Sequence, residues 1–525
     1  MEQGEEDNVD TIKILVATDN HLGYGEKYPE RQLDSFVTFN EILKIGKEQE
    51  VDFVLLGGDL FHENKPTRFA EHQCMKVLKK HVFGDRPVEI EVISDPEINF
   101  SHCDPNHRVV NYMDPNLNIG LPIFSIHGNH DDPCGLGGFC SLDNLHTAGL
   151  INFFGKTDNL QRKQTLFILF WKNYINHKIT DVEVSPLLFV KGENRVALYG
   201  LSNIKDERLH RLFRENMVKM DIPEENQDDW FNLFVLHQNR AKHSNTNYIP
   251  ENFIPEIFDL VIWGHEHECR LNPEYREFSD DHSFFISQPG SSVATSLCEA
   301  EAGEKNVGLL QVRGKDFKMD SIPLETVRPM IFKNVSLNEA SPDFTPPDVS
   351  KCKTDKEVQA KVEEALRKYV ENLLKTELPK KLTGNLDQPT KPLVRVRVEY
   401  TREDMILSVG RFGNHFLQTV ANPNDILLFK KLVYLKTQKD ESGLTAQELE
   451  ELVPENMAAL KIEDYIDEFL DSKAIGLELL GTKGLATAVD AFVNKKSKGA
   501  VKGLVNKQMT KIVEKMNELE VDDKG

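Results

Sequence analysis

Ile123-Phe124-Ser125-Ile126-His127-Gly128-Asn129-His130-Asp131 joins a short apolar run to a glycine and a set of metal-competent side chains. The same arrangement recurs along the chain. Ile12-Lys13-Ile14-Leu15-Val16-Ala17 precedes Asp19-Asn20-His21, and Phe53-Val54-Leu55-Leu56 precedes Gly58-Asp59. Leu233-Phe234-Val235-Leu236 leads into His237, and Leu260-Val261-Ile262-Trp263 into Gly264-His265-Glu266-His267. Each run is aliphatic or β-branched and bounded by turn residues, which reads as a strand buried on both faces. Phe36, Phe39 and Leu43 follow helical spacing between the first two runs, as a β-α-β crossover requires. Parallel strands deliver their carboxyl ends to one edge of an α/β sheet, so the five polar clusters are expected to converge there. Gly58, Gly128 and Gly264, each directly before a candidate ligand, are expected to let the backbone turn tightly.

Converging carboxylate, amide and imidazole groups make a metal site. Two divalent cations about 3.5–4 Å apart can share one carboxylate and hold both the attacking and the leaving oxygen of an in-line phosphoryl displacement. In this reading Asp59 is the bridge, Asp19, His21 and His267 complete one site, and Asn129, His237 and His265 complete the other. Oxygen and imidazole ligands without thiolate suit Mn²⁺, Fe or Zn²⁺ better than Ca²⁺. No role is assigned to His72, His81, His102, His107 or His210.

The set D-x-H, G-D, G-N-H-D, H and G-H-x-H is the signature of the calcineurin-like metallophosphoesterases. Longer stretches narrow it: Asp19 to Tyr24, Gly57 to Arg68, Ile126 to Pro133, His237 to Arg240 and Gln288 to Ser292 resemble the nuclease subunits of eukaryotic MRN-type double-strand-break repair complexes. The resemblance runs from about residue 10 to about residue 435. It implies an α/β fold, a metallophosphoesterase β-sandwich flanked by helices in four layers (α/β/β/α), with a small α+β DNA-capping domain and a C-terminal helical region. The corresponding divisions are a disordered 1–10, a nuclease domain 11–324, a capping domain 325–435 and a helical region 436–525.

The implied reaction is phosphodiester hydrolysis with two Mn²⁺ per chain, as 3′-to-5′ exonuclease on duplex DNA and endonuclease on single strands or hairpins. His130 falls where the family places a residue that stabilises the transition state and assists the leaving 3′ oxygen, and His62 where it orients the scissile phosphate. His127 and Asp131 would brace the ligands. The implied partners are DNA, an ABC-type coiled-coil ATPase subunit docking on the C-terminal helices, a nibrin-type subunit on the long 84–120 connection, and a second copy of the chain across the helices around Ile42 and Met75. The implied location is the nucleus. Two other readings stay open: a DNA-end-tethering scaffold with incidental catalysis, and a phosphoprotein phosphatase with the same metal core. Against the latter, Gly58-Asp59 continues into Leu60-Phe61-His62-Glu63-Asn64 rather than an arginine-bearing segment.

A net charge of −22 does not favour nucleic-acid binding, which is driven by phosphate neutralisation. Charge can nevertheless be local: Lys65, Arg68, Arg240, Lys242, Arg395 and Arg397 lie in or near the resembling stretches and are the candidate DNA contacts. Seven cysteines without a C-x-x-C pair point to free thiols in a reducing compartment. The acidic start is neither a secretory signal nor a transit peptide, and no apolar stretch has the length to span a bilayer. Val307 to Ile322 reads as closing strands, Lys356 to Leu374 as a helix and Leu393 to Val398 as a half-exposed strand. Thr165-Leu166-Phe167-Ile168-Leu169-Phe170-Trp171 departs from the family pattern, as either a lineage-specific strand or a gene-model artefact.

Overall fold

The computed structural model describes residues 10–135, 137–157, 181–223, 227–242 and 246–432. The apolar run at 165–171 and the expected C-terminal helices beyond 436 lie outside the described residues.

Both faces of the motif strands are buried, which is why their sequences are continuously apolar rather than alternating. Ile12, Ile14, Val16, Phe53 and Leu55 point into a core shared with Phe231, Leu233, Val235, Leu260 and Ile262. Their neighbours Leu15, Ala17, Val54 and Leu56 point the other way, onto the helices Asp34–Glu48 and Arg68–Val82. Phe234, Leu236, Val261 and Trp263 form a third core with Leu209 and Leu212 of the helix Asp206–Arg214. The layers are therefore helix, sheet, sheet, helix.

The five motif strands do not share one sheet. Ile12–Ala17, Phe53–Gly57 and Ile123–Ile126 lie side by side and parallel in a six-stranded sheet. The hairpin Asn306–Arg313 and Asp316–Pro323 pairs antiparallel beside Ile12–Ala17. Phe231–His237 and Leu260–Gly264 are parallel neighbours in a seven-stranded sheet. The carboxyl ends of both sheets meet at one edge of the sandwich, where His237 Nδ1 donates to the Gly57 carbonyl at 2.9 Å and so ties one sheet to the other.

The 84–120 connection does more than extend a loop. Its strand Glu91–Val92 pairs with Leu187–Lys191 at the edge of the second sheet, and Ile90, Val92, Phe100 and Val110 enter the inter-sheet core. Ile93, Ile98 and Met113 remain exposed. Of the two residues that mark the helix pair of the expected dimer surface, Ile42 is fully buried and Met75 is exposed, with Phe69 exposed beside it.

After the sandwich, Met330–Ser336, Leu393–Tyr400 and Leu427–Lys431 form a separate parallel sheet. The helix Asp355–Thr376, with Thr354 Oγ1 accepting from the Glu357 N–H at its start, lays Val358, Val362, Leu366, Val370 and Leu373 on Val394, Val396 and Val398. Arg328 fastens this unit to the sandwich: its Nε reaches Asp34 Oδ2 at 2.6 Å, its Nη2 Asp34 Oδ1 at 2.8 Å and its Nη1 the Lys391 carbonyl at 2.6 Å. Glu41 accepts from the backbone N–H groups of Glu325 and Thr326. All seven cysteines are unpaired. No helix among the described residues is long and apolar enough to cross a membrane.

Candidate metal centre

Backbone strain concentrates where the sandwich edge meets solvent. Asp19, His21, Asp59 and His265 all take positive φ, between 44° and 87°, which L side chains adopt only when their surroundings over-determine it. Gly58 turns with φ 101°, as its position predicts. Gly128 and Gly264 do not: both have ordinary backbone angles and are small for clearance. A Cβ on Gly128 would lie 2.0 Å from Asp59 Oδ1, and one on Gly264 2.4 Å from the Gly57 carbonyl oxygen.

The structure brings all seven candidate ligands together. Asp19 Oδ1 faces Nε2 of His21, His237 and His267 at 3.9, 3.9 and 3.7 Å. Asp59 Oδ2 faces Nε2 of His21 and His237 at 3.9 and 3.3 Å, between the two groups. Asn129 Oδ1 lies 3.2 Å from His237 Nε2 and 2.9 Å from His265 Nδ1. Asp19, His21 and His267 form one cluster of potential ligand atoms, and Asp59, His237 and His265 another.

The ring nitrogens that face inward are fixed from behind. His237 shows Nε2 because Nδ1 donates to Gly57, and His267 because Nδ1 meets Glu301 Oε1 at 3.1 Å. His265 is reversed: its Nε2 donates to Asn239 Oδ1 at 2.7 Å, which leaves Nδ1 for Asn129 and the site. Asn239 is held in turn by Asp206, 2.7 Å from its Nδ2. Such outer partners set both tautomer and aim.

The donor set fits divalent cations. Asp19 Oδ1 and Asp59 Oδ2 are buried and lack a hydrogen-bond partner, a costly state for carboxylate oxygens unless a positive charge faces them. His21 Nε2 and His267 Nε2 sit 3.0 Å apart, so one proton or one cation can lie between them. Burial raises the Asp19 carboxyl, despite the opposing effects of His237 and His267. Burial would raise Asp59 too, but His237, His21 and His130 hold it well below the usual carboxylate range. Burial lowers His237, yet the two carboxylates lift it to about 10, whereas His265, desolvated beside His237, falls to about 3.

His62 and His130 form a cluster with His21 beside this centre. Their rings stack at 5.2 Å, and His130 stands edge-on to His21 at 5.0 Å. The His130 backbone N–H donates to Asp59 Oδ1 at 2.8 Å, and its Nδ1 donates to the His62 carbonyl at 2.6 Å, leaving Nε2 free of that anchor. Burial, then His130, depresses His62 to about 4. Asp131 accepts from the Leu60 and Phe61 N–H groups at 2.8 and 2.9 Å and so pins the chain just after Asp59. His127 bonds the Gly128 carbonyl.

The candidate DNA contacts separate. Lys65, Arg68 and Lys242 are exposed. Arg395 and Arg397 share the outer face of Leu393–Tyr400, with Arg395 Nη1 on the Asp425 carbonyl. Arg240 differs from the others: it turns inward, 7% exposed, and pairs with Glu251 at 2.7 Å and Glu274 at 3.2 Å. Sequence reasoning missed Glu301, Thr295 and Asp206, and gave Asn239 no role. Only Asn239 lay inside a motif, and nothing marked the others.

Residues 12–269 match the family described as calcineurin-like phosphoesterase, and residues 317–492 match the Mre11 DNA-binding presumed domain. The chain is 43% identical to the double-strand break repair protein MRE11 of Homo sapiens, over 98% of this chain and 68% of that protein. The Mus musculus protein of the same name is also 43% identical, over 98% and 69%. That of Arabidopsis thaliana is 41% identical over 94% of this chain and 63% of its own length.

Proposed function

Because the chain belongs to the Mre11 family of double-strand break repair proteins, we propose that it is a two-metal DNA phosphodiesterase. In this reading it processes broken ends in the nucleus, as a 3′-to-5′ exonuclease on duplex DNA and an endonuclease on single strands and hairpins. The observation that carries this reading is the pair of buried, unpartnered oxygens, Asp19 Oδ1 and Asp59 Oδ2, ringed by imidazole nitrogens. Asp19, His21 and His267 would hold one Mn²⁺ and Asn129, His237 and His265 the other, with Asp59 between. Bound there, the ions supply Lewis acidity and neutralise charge on the reacting phosphate.

The chain's own residues account for the rest of the chemistry. His130 is positioned by two anchors, its backbone on Asp59 and its Nδ1–H on the His62 carbonyl, so when the ring is in its imidazolium form the Nε2 proton is the one available to the leaving 3′ oxygen, and the ring is left neutral with its proton on Nδ1. His62, stacked on it and desolvated, stays neutral at pH 7 and can accept from or donate to substrate without adding charge. Lys65 and Arg68, exposed just beyond His62, are suited to the flanking backbone. DNA, an ABC-type ATPase subunit, a nibrin-type subunit and a second copy of the chain are the proposed partners.

The test is cleavage of a 3′-labelled hairpin DNA with Mn²⁺, run beside a phosphopeptide and a His130→Asn variant. Hairpin cleavage that disappears in the variant supports the reading. Phosphopeptide turnover alone would replace it with the phosphatase, and end-bridging without cleavage with the scaffold.

A further inference from the structure

The segment between Gln288 and Asn306 touches both the metal centre and the three-stranded domain. Ser291 forms an isolated parallel bridge with Thr18, and its backbone N–H donates to the His267 carbonyl at 3.2 Å. Glu301, 3% exposed, folds back over this turn. Its carboxylate accepts from Ser296 N–H at 2.9 Å, Thr295 N–H at 3.0 Å, the hydroxyls of Thr295 and Ser291 at 3.1 and 3.2 Å, and Lys305 Nζ at 3.5 Å. The remaining approach, at 3.1 Å, is His267 Nδ1, which also lies 2.9 Å from Thr295 Oγ1. An ionised carboxylate can only accept, so the proton of His267 belongs on Nδ1 and the lone pair of Nε2 points at the Asp19 side.

The same segment is gripped from outside. Ala294 packs with Met330 and Leu393 of the three-stranded sheet, and Leu297, Ala302, Phe332 and Ala421 close around them. Lys381 Nζ donates to the Ala302 carbonyl at 3.0 Å, one residue from Glu301. A shift of that domain would move the backbone that carries the carboxylate.

We infer that Glu301 is the positioning residue of His267, and that through it the metal site senses whether the three-stranded domain is docked. This rests on the two-metal reading of the site. Glu301→Gln keeps the shape but introduces an NH₂ group among atoms that are nearly all donors, so at least one hydrogen meets the Thr295 or His267 N–H. Lys381→Ala removes only the outer grip.

Mn²⁺ binding isotherms and electron paramagnetic resonance on the full chain test this, with the melting temperature of the metal-free protein as the control. Glu301→Gln should weaken one of the two sites by about 10–100-fold, leave the other unchanged, and replace the exchange-coupled signal of a Mn²⁺ pair by that of an isolated ion. Lys381→Ala should weaken the same site by about 2–30-fold. Wild-type affinities in Glu301→Gln would overturn the inference, as would equal weakening of both sites with a lowered metal-free melting temperature, which is a merely structural role. Wild-type affinity in Lys381→Ala would overturn the link to the domain. Failure of the unsubstituted protein to bind Mn²⁺ is a different result and would overturn the two-metal reading itself.

Discussion

Gly128→Ala adds one carbon at a position with ordinary backbone angles, so any effect comes from space alone. That carbon would sit 2.0 Å from Asp59 Oδ1, 2.5 Å from the Asp59 nitrogen and 2.6 Å from its carboxyl carbon. Contacts below 3.0 Å are essentially never made by real Cβ atoms, so the carboxylate must withdraw by about 1 Å and the Asp59 backbone by about 0.5 Å. Overpacking of this kind costs about 1–3 kcal/mol, and a 1 Å misplacement of a catalytic constellation costs about 100-fold in rate. Asp59 also anchors the His130 N–H, so the proposed acid and the proposed bridge would be displaced together. The assay is Mn²⁺ affinity and hairpin cleavage, with thermal melting of the metal-free protein as the measure of folding. Gly84→Ala is the control, since a Cβ there meets nothing within 4 Å. A Gly128→Ala protein that melts within a few degrees of wild type but loses about 100-fold in cleavage fits the reasoning. Wild-type metal affinity and cleavage would refute it.

Other substitutions probe other parts of the account. His130→Asn should lower cleavage by about 10²–10⁴-fold while both Mn²⁺ affinities persist; a parallel loss of metal would make His130 a structural residue. Removing Arg328, 7% exposed and bidentate to Asp34, leaves that carboxylate and the Lys391 carbonyl without their donors. Arg328→Ala should therefore lower unfolding stability by about 3–5 kcal/mol in urea titrations, and a change under 1 kcal/mol would contradict the docking described. His102 is buried, and desolvation, with Lys156 nearby, lowers it to about 3. An unfolded histidine titrates near 6.5, so between those values the unfolded state binds more protons and stability falls as pH falls. From pH 8 to pH 4.5 that amounts to about 2–3 kcal/mol, and His102→Phe should flatten the slope by that amount. An identical slope in the variant would show that His102 is charged or solvated in the fold.

Strand-by-strand, the sandwich was readable because burial on both faces leaves an unbroken apolar run, and the runs at Ile12, Phe53 and Ile123 coincide with strands. What apolar runs do not encode is which sheet a strand joins: Phe231–His237 and Leu260–Gly264 have the same character as the others yet pair in the second sheet. The candidate ligands were legible because each stands at or just after the carboxyl end of a strand. Their supporters were not, since Glu301 reaches His267 from 34 residues away in sequence and Asp206 reaches Asn239 from 33. A sequence shows a charge but not its partners, and the setting of Arg240 between Glu251 and Glu274 was not legible in it. The glycines misled in part for a related reason: Gly128 and Gly264 make room for a carboxylate and a carbonyl delivered by distant strands, a packing demand rather than a turn.

Anomalous diffraction at the manganese edge from crystals of the chain grown with Mn²⁺ tests the central claim most directly. Two peaks are predicted at the sandwich edge, one against Asp19, His21 and His267 and the other against Asn129, His237 and His265, with the Asp59 carboxylate between them. A single peak, or two that do not share Asp59, would contradict the account.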